Sequence, residues 1–241
     1  MSLKTKLIIL FTAFALVSLT VFGAVVFSRA SESLRSVRIA QLNNIADLKK
    51  DKIETFYRER EGDVRAAQNY YILKRDLPLL IKHLNDRNIP EYNKVRKTID
   101  DQIRIFQQAY GSYREVMLAD PHGRIVYVSG AGHDHDAPAL GDKIEDEDVF
   151  RAAKEDVYFT DVHIDRLAGK AFEIRALGTI KDLRGAFIGE LVIDIDMSPI
   201  YQTLQDSTGL GTTGEALIAR KEGNEVLFLS PLRHVPEAAL K

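Results

Sequence analysis

The stretch "EVMLADPHGRIVYVSG", Glu115–Gly130, decides how this chain is read. Val116 to Ala119 and Ile125 to Val128 are strand-like apolar runs. Asp120-Pro121-His122-Gly123 between them is a turn, because proline presets the backbone and glycine permits positive φ. A similar figure returns at "EALIARKEGNEVLFLS", Glu215–Ser230. At an offset of one hundred residues, Glu115, Ala119, Gly123 and Val126 fall on Glu215, Ala219, Gly223 and Val226, so one strand-turn-strand unit is used twice.

Downstream of the first hairpin, a loop runs through "AGHDHDAPALGDKIEDEDV", and a short helix is expected around Val149 to Lys154. "VYFTDVHID" reads as a strand or extended segment. "AFEIRALGTI" and "AFIGELVIDI" complete an antiparallel sheet through a second turn at Asp182 to Gly185. In "MSPIYQTLQD", Ser198 is placed as an N-cap and Pro199 at the first helical position, so a helix leaves the sheet there. The glycines of "STGLGTTGE" then introduce the second hairpin.

Upstream, the pattern is helical. Val95, Ile99, Ile103, Phe106 and Tyr110 step by four, four, three and four along one helix face that Gly111 ends. "LPLLIKHLNDRNIPEY" supplies a shorter helix and a turn at Asn88-Ile89-Pro90. Before it, Leu34, Val37, Ile45, Leu48 and Phe56 recur at near-helical spacing without a proline, predicting one long helix from about Ser31 to Arg75. Such a helix is suited either to pairing with a copy of itself or to packing only on its own domain.

"LIILFTAFALVSLTVFGAVVF", Leu7–Phe27, carries no charge. At about 1.5 Å per residue it spans a hydrocarbon core of about 30 Å, so a transmembrane helix is expected. Lys4 and Lys6 precede it and Arg29 with mixed charges comes after it, which places the N-terminus in the cytoplasm and the rest outside the inner, plasma membrane. A cleaved signal peptide ending near Ser28-Arg29-Ala30 is the rival, but its apolar stretch usually runs only about 7 to 15 residues. Both readings export the remainder of the chain.

Lys and Arg total 33 against 35 Asp and Glu, for a net charge of −2. No basic run offers a phosphate backbone its counter-charge, so nucleic acid is not an expected partner. With 45% hydrophobic residues the chain is globular rather than disordered, and the absence of cysteine removes disulfides, thiolate metal sites and thiol nucleophiles. No catalytic or cofactor motif is present, and "TGLGTTG" lacks the lysine of a phosphate-binding loop. An enzyme is therefore not expected in this chain.

The order of membrane helix, long helix, further helices, hairpin, loop with short helix and two more strands resembles the Cache domain, the PAS-like extracytoplasmic sensor module of bacterial receptors. The resemblance runs from about Ser31 to Lys241 and rests on "MLADPHGRIVYVSG", "VYFTDVHID", "AFEIRALGTIKDLRGAFIGELVIDIDMSPIYQTL" and "TGLGTTGEALIARKEGNEVLFL". It implies an α+β fold in four parts: a cytoplasmic N-terminus (1–6), a transmembrane helix (7–27), a membrane-distal Cache-like module (28–206) and the opening of a membrane-proximal one (207–241). The second hairpin then belongs to that second, incomplete module, and the chain is expected to be an N-terminal fragment of a larger receptor. The implied function is sensory input to a histidine kinase of a two-component system, with a diguanylate cyclase, a chemoreceptor or a membrane-tethered interaction protein as alternatives.

In Cache modules the ligand lies on one face of the sheet under the loop and short helix, which nominates residues here. Arg175, flanked by Ile174 and Ala176, needs a partner or a ligand carboxylate and offers a planar, bidentate fork. Tyr158, Asp161, Tyr127, Arg151 and Asp194 are expected to frame the same space. Each has a bland alternative: Tyr127 as core, and Asp194 and Asp196 as caps of the following helix. Cache modules that bind amino acids typically pair an Arg with a Trp on the short helix; this chain has Arg151 there and no Trp. "HDHD" could set His133 and His135 on one side of an extended segment for a metal ion, or be a solvated loop. No resident cofactor is expected; the partners are a small molecule, possibly a carboxylate, the membrane, and a second copy of the chain.

Overall fold

The computed structural model describes residues 2–87, 89–129, 140–144, 156–165 and 171–240. A helix α1 (Leu3–Ala67) is followed by α2 (Tyr71–Lys82) and α3 (Pro90–Tyr110). Strands β1 (Tyr113–Ala119), β2 (Ile125–Val128), β3 (Tyr158–Phe159), β4 (His163–Asp165), β5 (Ala171–Lys181) and β6 (Phe187–Asp196) come next. After α4 (Ser198–Gln205), a hairpin of β7 (Ala219–Glu222) and β8 (Glu225–Phe228) leads to a 3-10 turn at Pro236–Ala238. By compactness the chain divides into residues 1–50 with 207–214, and residues 51–206 with 215–241.

The first unit contains the apolar part of α1. Its best window has a mean hydropathy of 2.5 and none of it is buried, so this helix is long and apolar enough to cross a membrane. Within the same unit Gly209 lies against α1: its carbonyl accepts the Gln41 side-chain amide at 3.2 Å, and a Cβ added there would come within 2.9 Å of Ile45 Cδ1.

In the second unit β2, β1, β6, β5 and β3 form one antiparallel sheet in that order, with β4 also on β5. The two hairpins are built as the sequence dictates. The Asp120 carboxylate accepts the backbone N–H groups of His122 (2.8 Å) and Arg124 (3.0 Å), while Gly123 takes φ +80°. In the β5–β6 turn, Asp182 does the same for Arg184 and Ala186, each at 2.8 Å. One sheet face is covered by helices. Leu73, Leu77 and Leu80 of α2 and Ile99, Ile103 and Phe106 of α3 pack with Val64 of α1 on Val116, Leu118, Ile174, Ala176, Leu191 and Ile193. That α3 face is the one the periodicity predicts, opened by Pro90 and closed by Gly111 at φ +65°. Tyr110 stays partly exposed, tilted on Phe106.

The last turns of α1 in this unit are fixed to the start of β1 by a polar and aromatic knot. Arg60 pairs with Asp63 at 3.2 Å, donates to Ser112 Oγ at 3.3 Å, and lies over the rings of Phe56 and Tyr113. The Tyr113 hydroxyl donates to Asp63, and its ring stacks on Phe106 at 4.8 Å.

The long helix ends earlier than the spacing predicts. It stops at Ala67 and the chain turns before α2. The Asn69 side-chain amide donates to the Arg65 carbonyl at 2.8 Å, and tight bonds run from the Asn69 and Tyr70 N–H groups to Ala66 and Ala67. A side chain thus satisfies a carbonyl that the next helical turn would have used. Arg75 falls in α2 instead. "VYFTDVHID" divides into two short strands, both on β5. Ser198 is the first residue of α4 rather than its cap; the Asp196 carboxylate before it accepts the Ser198 N–H at 2.9 Å. Val149 to Lys154, where a short helix is expected, lies outside the described residues.

Candidate functional site

The sheet face away from the helices carries Met117, Ala119, Ile125, Val128, Leu177 and Val192, all buried. The segment 140–144 runs beside β2, bonding through the Gly141 and Ile125 N–H groups, and lays Leu140 and Ile144 on this apolar floor together with Tyr158 and Phe187. Alternation along the strands places a row of charges on the same face. Arg175 and Asp194 are direct partners in the β5–β6 register, and the guanidinium grips the carboxylate with two bonds, Nε to Oδ1 at 2.7 Å and Nη2 to Oδ2 at 3.0 Å. The Arg175 side chain is 25% exposed and that of Asp194 is 8%.

Two residues along each strand lie Glu173 and Asp196, and Arg114 bridges them at 2.9 and 3.4 Å. Glu115 stands opposite Asp194 in the β1–β6 register. Burial works against the charge on Arg175, but the bonds and charge of Asp194, reinforced by Glu115 and Glu173, outweigh it and hold the guanidinium above its ordinary pKa. Arg175 is therefore a permanent cation. Of its five N–H groups two are taken by Asp194, which leaves donors for a ligand. Two guanidiniums face four carboxylates in this row, so a negatively charged ligand meets repulsion unless it also brings a cation.

Strand β3 joins this face to its surroundings. Tyr158 sits opposite Leu177 on the apolar floor, while Phe159 points the other way and meets the ring of Tyr57 on α1 edge-on at 5.5 Å. Thr160 is bound twice to Arg175, its N–H to the Arg175 carbonyl at 2.9 Å and its hydroxyl from the Arg175 N–H at 3.0 Å. Asp161 is exposed and pairs with Arg220 of β7 at 2.6 Å. Burial first, and the Asp161 charge second, push the Tyr57 phenol upward. Four consecutive residues thus touch the apolar floor, α1, Arg175 and the second hairpin in turn.

Of the residues nominated from sequence, Arg175, Asp194 and Tyr158 are brought to one face, and Asp161 to its border. Tyr127 is not with them. It pairs with Leu118, on the helix-covered face, and its hydroxyl donates to Asp100 of α3 at 2.8 Å. An irregularity in the β1–β2 register between Leu118 and Ala119 disturbs the alternation that would have aimed it. Arg151, His133 and His135 lie outside the described residues. Among the described residues no group of three or more His, Asp or Glu could hold a metal ion. Sequence reasoning missed Arg114, Glu115 and Glu173; the signal was the two-residue period, which puts Glu173 with Arg175 and Glu115 with Met117.

No protein-family model matches the chain, and no curated protein does. Solved structures do. The ligand-binding domain of the Pseudomonas aeruginosa PAO1 amino acid chemoreceptor PctC, in complex with GABA, superposes with a TM-score of 0.56 at 12% identity, over 83% of this chain and 77% of that one. The ligand-binding domain of the Campylobacter jejuni chemoreceptor Tlp3, in complex with 4-methylisoleucine, gives 0.51 at 17% identity, over 70% and 64%. The chain spans about 64% of that Tlp3 structure. The helix-backed antiparallel sheet and these superpositions together show the fold of the ligand-binding sensory domains of bacterial chemoreceptors, which is of the Cache type.

Proposed function

We propose that this chain is the sensory input region of a transmembrane receptor and binds a small amino-acid-like zwitterion on the Arg175 face. The observation that carries this reading is the bidentate Arg175–Asp194 pair beside an apolar floor, within a charge row that is acidic on balance. A carboxylate group would use the free edge of Arg175, and an ammonium would answer the surplus of Asp and Glu. This refines the carboxylate expected from sequence. The ligands named with PctC and Tlp3, GABA and 4-methylisoleucine, are of this chemical kind.

Lys4 and Lys6 ahead of the apolar segment support an N-terminus in the cytoplasm and a sheet outside the inner membrane. Residues 207–241 are the opening of a second module. Leu34, Val37 and Leu48 are exposed on α1, which supports pairing with a second copy through this helix. Ligand capture is read out through β3: a ligand that binds one position of Tyr158 and Arg175 better than another biases Phe159 against Tyr57, and so biases α1. A chemoreceptor output is supported by the fold neighbours at least as well as a histidine kinase of a two-component system.

The test is calorimetric titration of the full chain in lipid nanodiscs with amino acids, GABA, plain amines and plain carboxylates, repeated with Arg175→Ala and Asp194→Asn. Amino acids should bind, and either substitution should weaken them by at least about tenfold. Retention of binding in Arg175→Ala would move the site elsewhere. A folded chain that binds none of these compounds would favour a tethered interaction protein.

A further inference from the structure

A cleft of about 490 Å³ opens between the end of α1, the start of α2, Asp156 before β3, and the β5–β6 turn. It includes none of Arg175, Asp194 and Tyr158 in its wall. Its volume suits a small molecule. Asp182 is committed to its own turn, accepting the Arg184 and Ala186 N–H groups. Asp156 is committed to Arg65, at 2.5 Å, and to the Val157 N–H at 2.7 Å.

The lysines are not so committed. Lys74 donates to the neutral side chain of Asn69 at 2.9 Å, and among the described residues neither Lys74 nor Lys181 has a carboxylate within ion-pair distance. Gln68 in the same wall keeps its Oε1 buried with no hydrogen-bond donor among the described residues. Lys74 and Lys181 thus line the cleft as ammonium groups without a carboxylate partner among the described residues, while the Arg65 guanidinium in the same wall is held by Glu61, at 2.7 and 3.0 Å, as well as by Asp156.

We infer that this cleft is a second binding site, taking a small dianion such as inorganic phosphate or a dicarboxylate between Lys74 and Lys181, with Arg65 beside them. The site is chemically opposite to the Arg175 face, which is acidic on balance. Occupancy also has a route into the rest of the unit. A dianion competes with Glu61 and Asp156 for Arg65, and Asp156 leads into β3, which holds Tyr158 and Phe159, and on to Asp161. It acts as a co-effector, altering the response to the first ligand without sharing its contacts.

The experiment uses the full chain in phosphatidylcholine nanodiscs, titrated with inorganic phosphate and separately with succinate, at ionic strength held constant with sodium chloride. Saturable binding of either anion is expected, phosphate alone or succinate alone defining which class is taken. Lys74→Gln with Lys181→Gln should weaken it by at least about tenfold, and Lys74→Arg with Lys181→Arg, which keeps both charges, should retain it. Arg175→Ala should leave it within about twofold. The inference is overturned if neither anion saturates below about 10 mM, if the double glutamine variant binds as the parent does, or if Arg175→Ala abolishes binding, which would place the anion on the other face.

Discussion

Gly178 of β5 is where α1 is seated on the sheet, and substituting it tests that packing contact. A Cβ at this position would lie 2.6 Å from Val64 Cγ1, and closer still to Gln68 Oε1, against an ordinary contact of about 3.5 Å. The Gln68 side chain is flexible and can swing aside. Val64 is fully buried with a β-branched side chain and cannot. Overpacking of this kind costs about 2 kcal/mol, and alanine returns about 0.5 kcal/mol by stiffening the unfolded chain, leaving a net loss of about 1.5 kcal/mol for Gly178→Ala. At about 2 to 4 °C per kcal/mol the Tm falls by about 3 to 6 °C. Val64→Ala alone costs about 2 kcal/mol in lost burial and cavity, but combined with Gly178→Ala the new methyl occupies the vacated space. The double variant should therefore lose at least about 1 kcal/mol less than the sum of the two. Near-ultraviolet circular dichroism during heating is the assay, since the chain has 9 tyrosines and no tryptophan. An unchanged Tm for Gly178→Ala, or strict additivity in the double variant, would refute the seating of α1 on β5.

Gly189→Ala should be far worse: at φ +152° its Cβ would overlap the Ala119 backbone carbonyl, which cannot move aside, so soluble, cooperatively melting protein should not be recovered. Asp161→Ala removes an exposed ion pair with Arg220 and should change stability by less than about 1 kcal/mol, while limited proteolysis should cut between β7 and β8 faster; unchanged cleavage would show that the pair does not hold the hairpin. Burial first, then the bond to Asp63 for Tyr113 and to Asp100 for Tyr127, push both phenols far above their ordinary pKa, and burial pushes Tyr201 the same way. A raised pKa means the fold prefers the neutral phenol, so this stability is complete below about pH 10, where unfolded tyrosine titrates, and is lost as pH rises above it at about 1.4 kcal/mol per pH unit for each group. Tyrosinate absorbance should rise together with unfolding, and full ionisation near pH 10 in a still-folded protein would contradict it.

What the sequence reveals and what it conceals divide along the distance over which each feature is determined. The apolar face of α3 and the two hairpin turns are local: Val95, Ile99 and Ile103 announce their face by spacing, and Asp120 and Asp182 close their own turns. The end of α1 at Ala67 is set by Asn69 reaching back to a carbonyl, with neither proline nor glycine to mark it. Tyr127 faces the helices because of a register irregularity between two strands, which one strand's sequence does not encode. Arg175 and Asp194 are each legible as candidates, but their mutual grip depends on a pairing register that only the assembled sheet defines.

That grip has an entropic side. Arg175 carries one of the longest and most mobile side chains, and an arginine left free in a cavity must be immobilised each time a ligand arrives, which costs about 0.5 to 1.5 kcal/mol. Here Asp194 fixes both the rotamer and the plane of the guanidinium before any encounter, while Thr160 fixes the backbone beneath it. The other edge of the guanidinium is held in one orientation, so a ligand of the proposed kind would meet a side chain that needs no rearrangement. For the ligand proposed on this face, the cost of ordering the arginine is met during folding, so it is not subtracted from the affinity.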